Sequence, residues 1–320
     1  MTIPPRRPRF IQLFRENETR VRSELLEGLA APHAHVSPKF LYDALGSRLF
    51  EAITELPEYY PTRVERHIFD THAAAMAERL GTVDSLVDLG AGNCAKAARL
   101  FDTLRPRRYV AVDISVEFLR EALTNLQHRF PALDMLGVGM DFSTALDLPT
   151  EAGAGPRTLF YPGSSIGNFI PEAALAFLRQ ARTACAGGAL LIGVDLVKPA
   201  DILVPAYDDP LQVTAAFNRN LLLHANRIAG TDFRLEDWGH LALFDSALSR
   251  IEMQLEARRA VTVRWPGGAR AFAAGERIHT ENSCKWHLDD FDALLRQAGF
   301  TRTTRWTDER GWFAVFCARD

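Results

Sequence analysis

What the 320-residue chain lacks narrows its class before any motif is read. Cysteine is scarce: Cys94, Cys185, Cys284 and Cys317 are the four, far apart and without paired spacing. So few cysteines in a chain of this length suit a reducing compartment, where they act as small buried hydrophobes and not as a disulfide framework. No CxxC or HExxH occurs and the nine histidines are scattered, so no metal site is expected. Residues 1–9 hold three prolines and three arginines with no apolar run behind them, unlike a signal peptide or a membrane anchor. A cytoplasmic monomer is the resulting expectation. A large excess of one charge is also missing. The formal net charge of −3 gives no reason to expect nucleic acid or an anionic membrane as partner. The densest basic cluster, Arg105, Arg107 and Arg108, has no aromatic residue interleaved and reads as a solvated loop. Internal repeats and low-complexity linkers are absent.

What is present is the composition of a soluble globular protein, 47% hydrophobic and 24% charged, long enough for one large domain or two modest ones. Residues 10–32 read as a helix with apolar positions at Phe10, Leu13, Val21, Leu25 and Leu29. An aromatic-rich stretch follows, its helical spacing broken by Pro57 and Pro61, so that Leu56-Pro57-Glu58-Tyr59-Tyr60-Pro61 forms an ordered loop presenting two tyrosines. The next helix is expected over about 62–80. From residue 85 short Val/Leu/Ile runs alternate with helical segments: SLVDLG, RYVAVDIS, LDMLGVGMDF, TLFY and GALLIGVDLV are the strands. Continuous apolar strands between helices predict an α/β fold with a parallel sheet covered on both faces. After Pro199 the rhythm stops. A helix over DPLQVTAAFNRNLLLHANRIAG precedes antiparallel strands joined by a turn at Pro266-Gly267-Gly268. The segment LDDFDALLRQAGF returns to a helix ended by Gly299, and the chain closes on a hairpin. An insertion therefore separates the fifth strand of the α/β core from its last helix.

The string LVDLGAGNCAKAARLF is strand, Gly90-Ala91-Gly92 turn, then helix. Glycines there let the backbone turn tightly and approach a ligand that a Cβ would hold off. Asp113, at the end of the second strand, is placed to accept hydrogen bonds from ribose hydroxyls. A dinucleotide-binding oxidoreductase would use the same elements, with Ala95 for the third glycine. Three features favour a methyltransferase: the long helical lead before the motif, the pair Asp141-Phe142 placed to hold an adenine amino group and cover its face, and a final helix followed by a hairpin. The last suits a seven-stranded sheet with one reversed strand. In these the chain resembles class I methyltransferases, with a Rossmann-like sheet and S-adenosylmethionine as methyl donor.

Longer strings carry a closer resemblance: KFLYDALGSRLFEAITELPEYYPTR, GSSIGNF, DLVKP, AYDD, VTAAFNRN, RIEM and TENSCKW. In this order and spacing, over about residues 20–320, they are similar to the histidine Nα-trimethyltransferases of ergothioneine biosynthesis, which form hercynine. The resemblance implies a methyltransferase domain over 65–200 and 286–320. It implies an α+β substrate-binding domain over 10–64 and 201–285, made from the N-terminal segment and the insertion after strand five. Carried over residue by residue, Gly90, Lys96, Asp113, Asp141 and Phe142 match positions that contact S-adenosylmethionine. Tyr59, Asn168, Tyr207, Glu281 and Ser283 match the histidine-binding positions, with Asn168 and Tyr207 on the carboxylate, Tyr59 nearby, and Glu281 and Ser283 on the imidazole. Met253, in RIEM, would line the same pocket. Asn168 and Tyr59 are the candidates closest to the reacting amine. The departures are Asn93-Cys94 after the second glycine, where the family carries Thr-Ser or Ala-Ser, Asp88 where Glu is commoner, and Asn282 between the two imidazole contacts.

The chemistry needs few groups. An amine attacks a sulfonium methyl in line, so the site must bind the neutral amine, which partial desolvation favours, and align it. An amide such as Asn168 can accept from the amine and donate to the carboxylate. A neutral imidazole offers one N–H and one lone pair, matched by a carboxylate and a hydroxyl on one strand face. A wall of Tyr42, Phe50, Tyr59 and Tyr60 would suit a quaternary ammonium product, although such rings also serve as core. The alternatives are methylation of another amino acid, such as tryptophan, a Rossmann oxidoreductase, and a silent adenosine-binding module.

Overall fold

The computed structural model describes residues 6–13 and 18–320. In chain order the elements are β1 (Arg9–Gln12), α1 (Glu18–Ala30), α2 (Ala44–Thr54), α3 (Tyr60–Leu80), β2 (Ser85–Leu89), α4 (Ala95–Ala98), α5 (Phe101–Leu104), β3 (Arg108–Asp113), α6 (Val116–Arg129), β4 (Asp134–Gly139), β5 (Arg157–Tyr161), α7 (Pro171–Cys185), β6 (Ala189–Asp195), α8 (Ala200–Leu203) and α9 (Val213–Ala229). They continue with β7 (Trp238–Asp245), β8 (Arg250–Ala257), β9 (Val261–Trp265), β10 (Gly268–Phe272), β11 (Arg277–Cys284), α10 (Leu288–Gln297), β12 (Arg302–Thr307) and β13 (Phe313–Arg319). Among the described residues no helix is long and apolar enough to cross a membrane. All four cysteines are buried.

The chain divides into two compact units. The first takes residues 6–13, Pro61–Val197 and Lys285–Asp320. Its described residues hold an eight-stranded sheet in the order β1-β4-β3-β2-β5-β6-β13-β12. The strands β4, β3, β2, β5 and β6 are mutually parallel, and β13 runs antiparallel to both β6 and β12. This is the class I methyltransferase arrangement, with its single reversed strand, extended by β1. The apolar runs are explained by their position: every residue of β2 and of β6 is buried, as a strand covered on both faces requires. On α6, Leu119, Leu123 and Leu126 recur at helical spacing and face the core. Burying each is worth about 1.5–3 kcal/mol.

The first strand corrects the sequence reading. Residues 10–13 were expected to open a long helix with 18–32, but β1 instead pairs in parallel with β4, Phe10 opposite Gly137. A Cβ on Gly137 would stand 2.5 Å from the Phe10 ring and 2.9 Å from Leu123, so glycine there lets both side chains close over the strand. The helix expected over NCAKAARLFDTLR is also divided, into the short α4 and α5.

The second unit takes residues 18–60 and Lys198–Cys284. Its described residues hold the antiparallel sheet β11-β8-β7 and the hairpin β9–β10, which turns at the predicted glycines. Strand β7 was not anticipated. Asp43 caps α2 by accepting from Gly46 N at 2.7 Å, and Asp209 caps α9 by accepting from Val213 N and Thr214 N at 3.0 and 2.8 Å. Asp43 also accepts from Asn220 Nδ2 at 2.7 Å and pairs with Arg227, which joins α2 to α9.

Candidate active site

In the first unit the candidate cofactor residues gather at the C-terminal ends of the parallel strands, where open α/β sheets bind ligands. The turn after β2 lies on β3: Gly90 N and Ala91 N both donate to Val112 O, at 2.9 and 3.1 Å. Gly90 (φ +72°) and Gly92 (φ +51°) are left-handed, a conformation that glycine adopts without cost. A Cβ on Gly92 would meet nothing within 4 Å, and one on Gly90 only the Phe142 ring at 3.7 Å, so these two positions leave space above the turn. Asp113, at the end of β3, accepts from Gly92 N and Ser115 N, each at 2.9 Å. Desolvation raises its pKa, and the backbone N–H groups of Ser115, Gly92 and Ile114 oppose that rise. A carboxylate has about four lone-pair positions, so beside these three donors it can still accept a hydroxyl. Phe142 sets its ring edge-on to Tyr161, centroids 5.8 Å apart, and beside Phe177 at 6.2 Å. Asp141 accepts from Ser143 N at 3.1 Å. Cys94, one of the two departures in the turn, is buried at φ +60°, a backbone that costs a non-glycine residue about 1–2 kcal/mol.

Lys96 stands in an arrangement that sequence reasoning missed. Its Nζ pairs with Glu65 Oε2 at 2.6 Å, while Glu65 Oε1 accepts from Gly163 N at 2.6 Å. Glu65 is 1% exposed. One buried carboxylate on α3 thus ties α4 to the loop after β5. That loop carries Ser164, whose Oγ accepts from Asp195 N at 2.8 Å, and ends its 3-10 turn Ser165–Asn168 on the half-buried Asn168. Asp195 in turn forms a fully buried ion pair with Lys285, 2.9 Å apart. Nothing local in RVERHIF marks Glu65, because its role appears only when three distant segments meet.

In the second unit the structure brings Tyr59, Tyr207, Met253, Glu281 and Ser283 together. Glu281 and Ser283, two apart on β11, are 6% and 7% exposed. Met253 is the cross-strand partner of Glu281, so the two side chains share a face. Ser283 Oγ and Tyr207 Oη lie 2.7 Å apart in a hydrogen bond. The Tyr59 ring meets Tyr207 edge-on at 6.3 Å, and Phe50 and Tyr42 continue the aromatic series behind it. Tyr60 does not join that series: Lys198 Nζ lies 4.5 Å over its ring centroid and donates to its hydroxyl at 2.9 Å. Asn282 points to the opposite face of β11, where its Oδ1 bonds His279 Nε2 at 2.9 Å, so it does not separate the two imidazole candidates. A register shift between His279 and Glu281 fits Thr280 into the strand, and Thr280 Oγ1 donates to Met253 O at 2.9 Å.

Comparison with known proteins identifies the family. Residues 21–320 match the family described as histidine-specific methyltransferase, SAM-dependent. The chain belongs to this family. Similar proteins include histidine N-alpha-methyltransferases of Mycolicibacterium smegmatis, 40% identical over 93% of this chain and 94% of that one, and of Mycobacterium tuberculosis, 40% identical over 93% and 94%. Ergothioneine biosynthesis protein 1 of Schizosaccharomyces pombe is 31% identical over 70% of this chain and 31% of its own length. Family membership sets aside the oxidoreductase alternative. S-adenosylmethionine fits the first unit, whose open glycine turn and half-buried acid suit an adenosine ligand.

Proposed function

We propose that the protein trimethylates the α-amino nitrogen of L-histidine, giving hercynine in three successive transfers. The first unit serves as methyltransferase domain and the second as substrate-binding domain, in a cytoplasmic monomer. The observation that carries the substrate choice is the buried pair Glu281 and Ser283 on one face of β11, with Met253 opposite and Tyr207 bonded to the serine.

S-adenosylmethionine supplies an electrophilic methyl group on a sulfonium. Asp113 holds its ribose, Asp141 the adenine amino group and Phe142 the adenine face, with Gly90 and Lys96 as further contacts. Asn168 and Tyr207 take the substrate carboxylate. Glu281 accepts the imidazole N–H, and Ser283 donates to the other ring nitrogen, exchanging its hydrogen bond with Tyr207 for the substrate so that the Tyr207 hydroxyl can donate to the carboxylate. Asn168 also accepts from the amine, so the neutral nitrogen is oriented for attack, and Tyr59 is a further substrate contact. No strong base is required, since water can take the proton before each transfer. An apolar substrate would leave the buried Glu281 unpaired, at a cost of about 1–3 kcal/mol or more, which rejects leucine or phenylalanine by roughly tenfold upward.

Mass spectrometry after incubation with S-adenosylmethionine and a mixture of all amino acids tests the reading. The expected result is a gain of three methyl groups on histidine alone. In Glu281→Ala, histidine turnover should fall at least about tenfold while S-adenosylhomocysteine affinity is unchanged. Labelling of another amino acid, or full histidine turnover by Glu281→Ala, would overturn the assignment.

A further inference from the structure

Behind Tyr207 lies a polar group that the reaction above does not use. His240, half-buried on β7, holds Tyr207 by the main chain: His240 Nε2 and Tyr207 O are 2.8 Å apart. On its other side, His240 Nδ1 lies 2.9 Å from Asn218 Nδ2, on the buried face of α9. The proton positions follow from the acceptors around them. Asn218 Nδ2 also donates to Gln254 O at 3.1 Å, and a carbonyl only accepts, so this end of the amide must be its NH2 group. His240 Nδ1 must then accept, and Nε2 must carry the hydrogen that Tyr207 O receives. A second proton on Nδ1 would face the Asn218 N–H. The ring is therefore neutral, in agreement with burial, which pushes its pKa down.

Tyr207 needs such a fixture. It ends the 3-10 turn Val204–Ala206, its N–H bonded to Val204 O at 2.9 Å, outside any strand ladder that would set its carbonyl. Its hydroxyl reaches Ser283 at the far end of the side chain. The carbonyl that His240 holds belongs to the same residue, so fixing it restrains the main chain from which the ring extends toward Ser283.

We propose that His240, oriented by Asn218 as its Nε2–H tautomer, is a positioning residue that sets the affinity for the amino-acid substrate through the main chain of Tyr207. This rests on the reading of Tyr207, Glu281 and Ser283 as substrate contacts. His240 touches no substrate. Its removal acts on binding and not on the transfer itself.

Steady-state kinetics and calorimetry on the full chain test this. His240→Leu should raise KM for histidine about tenfold and leave kcat and S-adenosylhomocysteine Kd within about twofold. His240→Gln, whose amide can donate to Tyr207 O and accept from Asn218, should bring KM back within about threefold. His240→Phe keeps a ring of similar shape but has no donor for Tyr207 O, so it should raise KM as His240→Leu does, and it serves where His240→Leu does not fold. An unchanged KM in His240→Phe, or a KM in His240→Gln as high as in His240→Leu, would overturn the proposal. Ser283→Ala separates the two levels. If it and Glu281→Ala leave histidine KM unaltered, the substrate-site reading falls. If both raise KM while His240→Phe does not, the positioning role alone falls.

Discussion

Replacing Asp88 with asparagine should alter how stability depends on pH more than it alters stability at any one pH. Asp88 is 1% exposed near the end of β2. Its Oδ2 accepts from Tyr109 Oη at 2.7 Å, whereas Oδ1 is buried with no hydrogen-bond partner among the described residues. Burial pushes its pKa from the ordinary 3.8 up to about 7. The Tyr109 hydrogen bond and the Lys96 charge oppose that rise, and Asp113 and Glu65 add to it. Between those two values the folded protein keeps a proton that the unfolded chain has released. The folded state then binds more protons than the unfolded one, so this group's contribution falls as pH rises from about 4 to about 7. A displacement of roughly three pH units is worth about 4 kcal/mol at the outside, of which about 3 kcal/mol falls above pH 5. In Asp88→Asn the amide oxygen can keep the Tyr109 bond and nothing ionises, so whatever the substitution costs is the same at every pH. Urea unfolding of both proteins without ligand, from pH 5 to pH 8, measures the difference and cancels the other titrating groups. The gap should move in favour of Asp88→Asn by about 3 kcal/mol across that range. A gap that stays constant would mean that Asp88 is already charged in the folded protein at pH 5, and the desolvation argument would fail.

Two further substitutions probe the first unit. Lys285→Met removes the cation paired with the buried Asp195 and should destabilise the protein by about 3–5 kcal/mol in urea unfolding, whereas a loss under 1 kcal/mol would show the pair to be solvated. Asp113→Asn removes the charge that would accept ribose hydroxyls. It should weaken S-adenosylhomocysteine roughly 10- to 100-fold by calorimetry with histidine present or absent, and unaltered affinity would remove Asp113 from the cofactor site.

The α/β core was readable from sequence because its strands are buried along their whole length. SLVDL and ALLIGVD have a single environment, so composition alone marks them as central strands. Where two environments compete, the pattern loses its meaning. The four residues RFIQ are too few to distinguish a strand from the start of a helix, and Phe10 and Leu13 happen to fall at helical spacing. Their conformation is set by β4, more than a hundred residues away, and by the absence of a side chain at Gly137. Strand β7 escaped for a related reason. Its residues are buried, half-buried and exposed without strict alternation, so WGHLALFD shows no period of two.

For the candidate site the division is between residues proposed to meet a ligand and residues that hold them. Gly90 and Asp113 lie in a string whose spacing carries their chemistry, and Glu281 and Ser283 in a string that carries the family resemblance, so all four could be singled out. Glu65, Asn218 and His240 could not, because each acts on a main-chain group or a side chain brought from elsewhere: Glu65 on Gly163 N, His240 on Tyr207 O. A carboxylate on a helix or a histidine on a strand has no local signature for such work. Asn282 shows the limit of adjacency: it is a departure from the family pattern between two substrate candidates, and alternation along β11 turns it away from them toward His279. Adjacency in sequence therefore counts against a shared pocket on a strand. That alternation gives the pairing of Glu281 with Ser283, and not with Asn282, its physical basis.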